Sequence, residues 1–254
     1  MTSKDLVKLG SATAKGGFKN ERTIIRKFNN WKKDKDTQLW LKIMGYNLKK
    51  IEKLKSIQVH RQKADVQVRI LIKIGNAWKI ENISVKLAKE KADFNQVDKR
   101  PVDKYQKMWG FNNRIARGLK LFTGEIKPKF KTADPRRAKF IELPERTQKE
   151  IIDFFRKNKI LVVTDILKGR EGITADWMMV ARYRKKKNET EWILKDINTA
   201  MNFFGKGRVK ISSRGSRLFI GKIGMQRKGG TPDPTSLQFK ISPCQLFELT
   251  QHTP

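Results

Sequence analysis

Residues 66–88, VQVRILIKIGNAWKIENISVKLA, constrain the fold more than any other stretch. The run VQVRILIKI alternates and is rich in β-forming residues around Ile70, Leu71 and Ile72, which predicts a strand. Gly75-Asn76 supplies a turn. WKIENISVKLA then predicts a second strand, as a hairpin partner or near neighbour of the first. Side chains alternate with period two, so Ser84 and Lys86 share a face.

That pair gives the hairpin a chemical reading. Asp65 stands nineteen positions before Ser84, and an Asp on one strand with an x-Lys pair on a later one suggests metal-dependent phosphodiester cleavage. Such hydrolysis needs a divalent metal, an activated water and charge stabilisation on the phosphate. Asp65 can ligate a hard cation such as Mg²⁺ through oxygen, and the Val85 carbonyl offers a further ligand. The Lys86 ammonium can orient the attacking water or offset charge on the phosphate. A second carboxylate is usual two residues before the lysine, but Ser84 is neutral there. Its hydroxyl can hold a metal-bound water or bind metal weakly, and Glu21 is a candidate for the second anionic oxygen. On spacing alone this signal is weak. In its plain alternative, Asp65 makes a surface salt bridge and Lys86 is one of many solvated lysines.

Charge narrows the partners. The chain has 254 residues, with 58 Lys and Arg against 25 Asp and Glu, a formal net charge of +33. An excess of that size points to a polyanion, nucleic acid before acidic membrane. Cys244 is the single cysteine, which excludes an internal disulfide and a Cys-rich zinc site. With two histidines, His60 and His252, a nuclease site here must rest on carboxylates and lysine. No apolar run approaches the roughly 18 residues that span a bilayer, and the opening residues lack a signal-peptide core. The expectation is a cytoplasmic protein without membrane contact.

Elsewhere the pattern alternates between helix and strand. FKNERTIIRKFNNWKK predicts an amphipathic helix, and QLWLKIMGYNLKKIEKLK a helix broken at Gly45. Pro101 marks a bend, and NNRIARGLKLF a helix. The Pro-rich, charged EIKPKFKTADPRR is the best candidate boundary between two lobes. LPERTQKEIIDFFRKN is a helix, and KILVVTDILKG a buried strand. ADWMMVARYR and EWILKDI are strands, NTAMNFFGKG is a short helix, and the rest is strand-rich. The result is an α/β first half and a strand-rich, very basic second half.

Several strings, in order, carry a resemblance: GSATAKGGFKNE, FNQVDK with YQKMW, LFTGE, LVVTDILKGR, SSRGS, and MQRKGG with LQFKI. Together they closely resemble the small type II restriction endonucleases that act as monomers on four-base-pair GCGC sites, within the PD-(D/E)XK nuclease superfamily. The similarity runs from about Leu6 to Phe247. It implies an α/β, restriction-endonuclease-like mixed-sheet catalytic core with flanking helices in residues 1–128. A strand-rich DNA-recognition lobe would follow in residues 129–254. The family's catalytic Asp falls on Asp65 and its lysine on Lys86. Close relatives carry Gln or Asn where this chain has Ser84, and often Ser or Thr where it has Ala64. These departures bear on metal affinity and leave the Asp and Lys intact.

The resemblance also gives the basic loops roles. Phe94-Asn95-Gln96 resembles a segment that wedges into DNA beside the recognised bases, and Gln96 and Lys99 can reach base edges. Ser213-Arg214-Gly215 and Gln226-Arg227-Lys228-Gly229-Gly230 combine base-reading side chains with glycines that allow close approach. For each Arg and Lys a phosphate contact is the alternative.

The implied activity is Mg²⁺-dependent cleavage of double-stranded DNA at a short GC-rich palindrome, with Mn²⁺ as a substitute. A monomer would nick the strands in turn, pairing on DNA remaining open. A cognate DNA methyltransferase is the expected functional companion. The alternative is a nuclease-fold protein that binds specific DNA without cutting, favoured by Ser84 and Ala64. A general RNA-binding role rests on charge alone.

Overall fold

The computed structural model describes residues 21–59, 68–88, 94–170, 172, 174–227 and 235–250. They form two compact units that interleave along the chain. Unit 1 takes residues 1–95, 167–200 and 242–254, and unit 2 takes 96–166 and 201–241. The single boundary expected at 128/129 is therefore replaced by four passages. EIKPKFKTADPRR lies inside unit 2, where Asp134 bonds to Arg136 and Arg137.

Unit 1 is built on a five-stranded sheet of order β1-β2-β3-β5-β6. Its strands are β1 (Lys53–Gln58), β2 (Val68–Ile74), β3 (Ala77–Ala88), β5 (Trp177–Arg184) and β6 (Glu189–Asp196). β2 and β3 form the expected antiparallel hairpin around Gly75, whose φ is 55°. β3 and β5 pair in parallel, so a crossover must join them. The chain between them, residues 89–176, builds much of unit 2, which is why no one cut separates the units.

One face of this sheet is covered by helices α1 (21–29) and α2 (Lys35–Ile43). Ile24, Phe28, Trp40 and Leu41 pack on Val68, Ile70, Ile72, Ile83, Val85, Met179 and Leu194. α2 starts where Asp34 accepts the Thr37 N–H at 2.8 Å, and Gly45 at φ 85° turns the chain after its end. The following IEKLK, expected as helix, enters strand β1. The turn frees the chain to add an edge strand, which buries Ile51 and Ser56.

Unit 2 holds the second sheet, of order β4-β10-β9-β8-β7. It comprises β4 (Asn95–Pro101), β7 (Val209–Ile211), β8 (Arg217–Ile220), β9 (Ile223–Arg227) and β10 (Ser236–Ile241). Its helices include α3 (Val102–Trp109), α4 (Asn113–Thr123) and α5 (Glu145–Lys157). Tyr105, Trp109, Phe155 and Phe239 form one ring cluster, with centroids 4.7–6.0 Å apart.

KILVVTDILKG, expected as a strand, is helix α6 (Lys159–Leu167). A short apolar run does not distinguish a buried strand from a buried helix. Here Val162, Val163, Ile166 and Leu167 are buried at helical spacing while Ile160 is 84% exposed. Buried Asp165 also accepts the Trp109 indole N–H at 2.9 Å, a bond set by the helical phase. α7 (Ile197–Gly205) is the short helix expected. Among the described residues no helix is long and apolar enough to cross a membrane.

Candidate active site

β3 is longer than its first partner. β2 pairs with it from Ala77 only as far as Ile83, while β5 pairs with Ile83 through Ala88. Ser84, Val85 and Lys86 therefore lie where, among the described residues, β2 has ended and β5 continues. Ile83 and Val85 point into the α1/α2 core. By alternation Ser84 and Lys86 point to the opposite face, their Cα atoms about 7 Å apart. Met178 and Lys195 lie level with Ser84, and Val180 and Ile193 level with Lys86.

Both side chains are buried, Lys86 at 8% exposure and Ser84 at 0%. Among the described residues the Ser84 Oγ, like the Ser56 Oγ of β1, has no hydrogen-bond partner. A buried hydroxyl left unpaired costs about 1–3 kcal/mol, so its presence calls for a ligand or a water. The C-terminal 3-10 segment Pro243–Thr250 packs on β3 and β5. There the Arg182 guanidinium sits 3.9 Å from the Phe247 ring centre and bonds Glu191 at 2.7 Å.

Of the positions singled out in the sequence, Asp65, Lys228, Gly229 and Gly230 lie outside the described residues, as does Ala64. Glu21 is described, and it accepts a 2.6 Å bond from the Gln58 amide. Gln58 is level with Val68 and Ile83, whose side chains face the helices. Glu21 is thus held on the helix-covered side of the sheet, and Ser84 and Lys86 face the other way.

Beside Ser84 the structure adds a polar network that the sequence reading missed. Asp176 Oδ2 accepts from the Asn82 backbone N–H at 2.9 Å and from its side-chain amide at 3.1 Å. Arg69 Nε donates to Asn82 Oδ1 at 3.0 Å. Asn82 shares the face of Ser84, so this network fixes the approach to the pair. Asp176 stands 94 residues from Asn82 in sequence, and only the parallel pairing brings them together. Among the described residues no three His, Cys, Asp or Glu side chains gather as a metal cluster.

The DNA-contact candidates divide by surroundings. Phe94 is 40% exposed, and the Asn95 amide donates to the Leu87 carbonyl at the end of β3. In unit 2, Gln96 is exposed, and Lys99 follows Asp98, whose carboxylate bonds Arg100 at 2.9 Å. Ser213 and Arg214 are exposed on a turn. Gly215 closes that turn at φ 64°, where a Cβ would meet Ile141 at 2.5 Å. Gln226 and Arg227, adjacent on β9, face opposite sides of the second sheet. Arg227 points with Met225 to the apolar side and donates to the Ala138 and Phe122 carbonyls at 3.1 and 3.4 Å. Burial, with Arg137 nearby, holds its guanidinium below the ordinary value. Gln226 lies level with Arg217 on β8 and Gln238 on β10. This three-residue polar rung across three strands was visible in sequence only as alternation within each strand.

Comparisons with known proteins bear on the family and the fold. A family model, R.HinP1I restriction endonuclease, matches residues 44–247. Among solved structures the chain is similar to the restriction endonuclease MspI in complex with its cognate DNA. The TM-score is 0.62 at 12% identity, covering 87% of each chain. At that identity the likeness shows the fold, and the mixed sheet flanked by helices is restriction-endonuclease-like. No curated protein matches. The family match spans well over half of the chain: it belongs to the R.HinP1I restriction endonuclease family, type II restriction enzymes that are site-specific deoxyribonucleases.

Proposed function

We propose that the chain is a Mg²⁺-dependent endonuclease that cuts duplex DNA at a short GC-rich palindrome, GCGC by resemblance to its family. It acts as a monomer that nicks the two strands in turn, and Mn²⁺ substitutes for Mg²⁺. A cognate DNA methyltransferase protects the host sites. The observation that carries the reading is the buried Ser84 hydroxyl, unpartnered among the described residues, two residues before Lys86 on the same face of β3.

The donor set suits a hard divalent cation: the Asp65 carboxylate and the Val85 carbonyl are oxygen ligands. Two residues separate Asp65 from Val68, three steps of chain reaching at most about 11 Å, and Val68 is level with Ile83 beside Ser84. When bound, such an ion polarises the phosphoryl oxygen and lowers the pKa of a water. The Ser84 hydroxyl holds a water in place through a hydrogen bond. The Lys86 ammonium, in a site with little solvent, orients the nucleophile and offsets charge that develops on the phosphate. Asp176 and Arg69 keep Asn82 fixed below them.

Recognition falls to Phe94, Asn95, Gln96 and Lys99, to the exposed turn at Ser213 and Arg214, and to Gln226 and Lys228. Arg217 and Gln238 join Gln226 as one rung. Arg227 serves as a strut bonded to two carbonyls of its own unit. Glu21 anchors α1 to β1 through Gln58.

The test is supercoiled plasmid with Mg²⁺, and with Mn²⁺ in parallel, the ends mapped by sequencing. Discrete cuts at one motif, passing through a nicked form, are expected. Asp65→Ala and Lys86→Ala are expected to abolish cutting and to keep DNA binding. A Lys86→Ala protein cutting at the wild-type rate overturns the site. An uncut plasmid in both metals, with tight binding retained, means a protein that works by binding alone.

A further inference from the structure

The face of β3 that carries Ser84 and Lys86 extends the other way to Ile80 and Trp78. Those two residues are 51% and 52% exposed. Across the sheet Trp78 is level with Lys73 and Lys53, and Ile80 with Leu71 and Lys55. The next rung holds Asn82, Arg69 and Ile57, the last 36% exposed. Exposed apolar side chains here alternate with cations on a side of the sheet opposite its helices. Trp78 also lines an open groove of about 640 Å³ with Lys53 and Lys55, whose other wall, Trp31, Lys32 and Lys33 after α1, belongs to the helix-covered side. Glu52, the carboxylate in that groove, is bonded to Lys73 at 3.0 Å. Lys32, Lys33 and Lys55 form no salt bridge among the described residues.

We propose that this face binds the sugar–phosphate backbone of the same duplex, outside the recognised base pairs. The inference rests on the nuclease reading, because Trp78 and Ile80 lie on the same side of β3 as the buried Ser84 and Lys86. From Lys86 to Trp78 is eight strand residues, about 26 Å. Phosphates of one strand repeat about every 3.4 Å along the axis, so the lysines meet the backbone roughly eight nucleotides from the cut. Lysines suit phosphates, and the apolar faces of Trp78 and Ile80 suit the deoxyribose rings between them. A sequence-independent contact of this kind adds affinity and leaves base choice untouched.

The test compares two duplexes with one central site. One is about 12 base pairs, too short to reach the groove, and the other about 30. Binding is measured without metal, and cleavage with Mg²⁺, for the wild type and for the Trp78→Ala, Lys53→Gln, Lys55→Gln variant. The wild type is expected to bind the longer duplex about tenfold more tightly, and its salt slope to be steeper by roughly one unit per lysine engaged. The variant should lose that advantage and slope, bind the short duplex as the wild type does, and keep its unfolding midpoint. An equal length advantage in both proteins overturns the proposal. A length advantage lost in the variant, with no cutting by the wild type, supports this surface and removes the nuclease reading instead.

Discussion

In the proposed site Ser84 is the residue to test, because its hydroxyl is buried and has no hydrogen-bond partner among the described residues. As a strand filler it would be a net cost, since an unsatisfied buried group destabilises by about 1–3 kcal/mol. Two substitutions resolve the matter. Ser84→Ala removes the orphan atom and should raise or leave unchanged the urea midpoint, while cleavage falls at least tenfold if the hydroxyl holds the water. Unchanged cleavage in that variant would make Ser84 a packing residue. Ser84→Asp adds an anionic oxygen and should tighten Mg²⁺ binding, read by calorimetry. Without metal it should lower the thermal midpoint, because burying a carboxylate strips it of solvent and Lys86 offsets only part of that cost. The sequence singled out Ser84 and Lys86 through the x-Lys spacing after Asp65 and the family resemblance, and alternation put them on one face. It could not reveal that Arg227 turns inward beside Gln226, because that depends on which face of β9 meets the apolar interior of its unit.

Helix α2 illustrates how a local signal controls an element. Asp34 accepts from Thr37 N–H at 2.8 Å and Thr37 Oγ1 at 3.0 Å, and takes the Lys27 ammonium at 2.9 Å. Burial pushes its carboxyl up, but these bonds together hold it below the usual carboxylate range. Asp34→Ala should cost about 1 kcal/mol at neutral pH, measured by urea unfolding. Because the folded value is depressed, this contribution is complete above the unfolded carboxylate pKa of about 4 and fades as pH falls through the folded one. The gap between wild type and variant should therefore narrow in acid; a constant gap would mean that the carboxylate's charge plays no part. The same local reasoning gave the β2–β3 hairpin and the start of α5, where Pro144 precedes Glu145. It failed for α6, whose valines favour a strand until the Trp109–Asp165 bond and the burial of Val162 and Ile166 select the helix. Propensity is a weak prior beside tertiary packing.

The interleaving of the two units was not legible at all. The Pro-rich stretch at 125–137 carries every compositional mark of a linker, yet it closes a loop within unit 2. What decides the division is the parallel pairing of β3 with β5, a long-range fact with no local sequence signal. Charge, by contrast, is a property of the whole chain that the sequence states directly. A formal +33 has few intramolecular counter-charges, with 58 cations against 25 anions, so much of it is left for a polyanion. If the protein neutralises on the order of six to ten phosphates, log K should fall linearly with log salt, with a slope near −0.9 per phosphate. Affinity should then drop about 10³- to 10⁵-fold between 50 and 200 mM salt. A filter-binding titration with a cognate duplex and a scrambled one reads both terms. The steep slope should appear with each duplex, since phosphate contacts carry no sequence. The cognate duplex should keep an advantage at every salt, since base contacts release few ions. A shallow slope on the cognate duplex would mean that most of the positive surface never meets DNA, and that the excess charge serves some other partner.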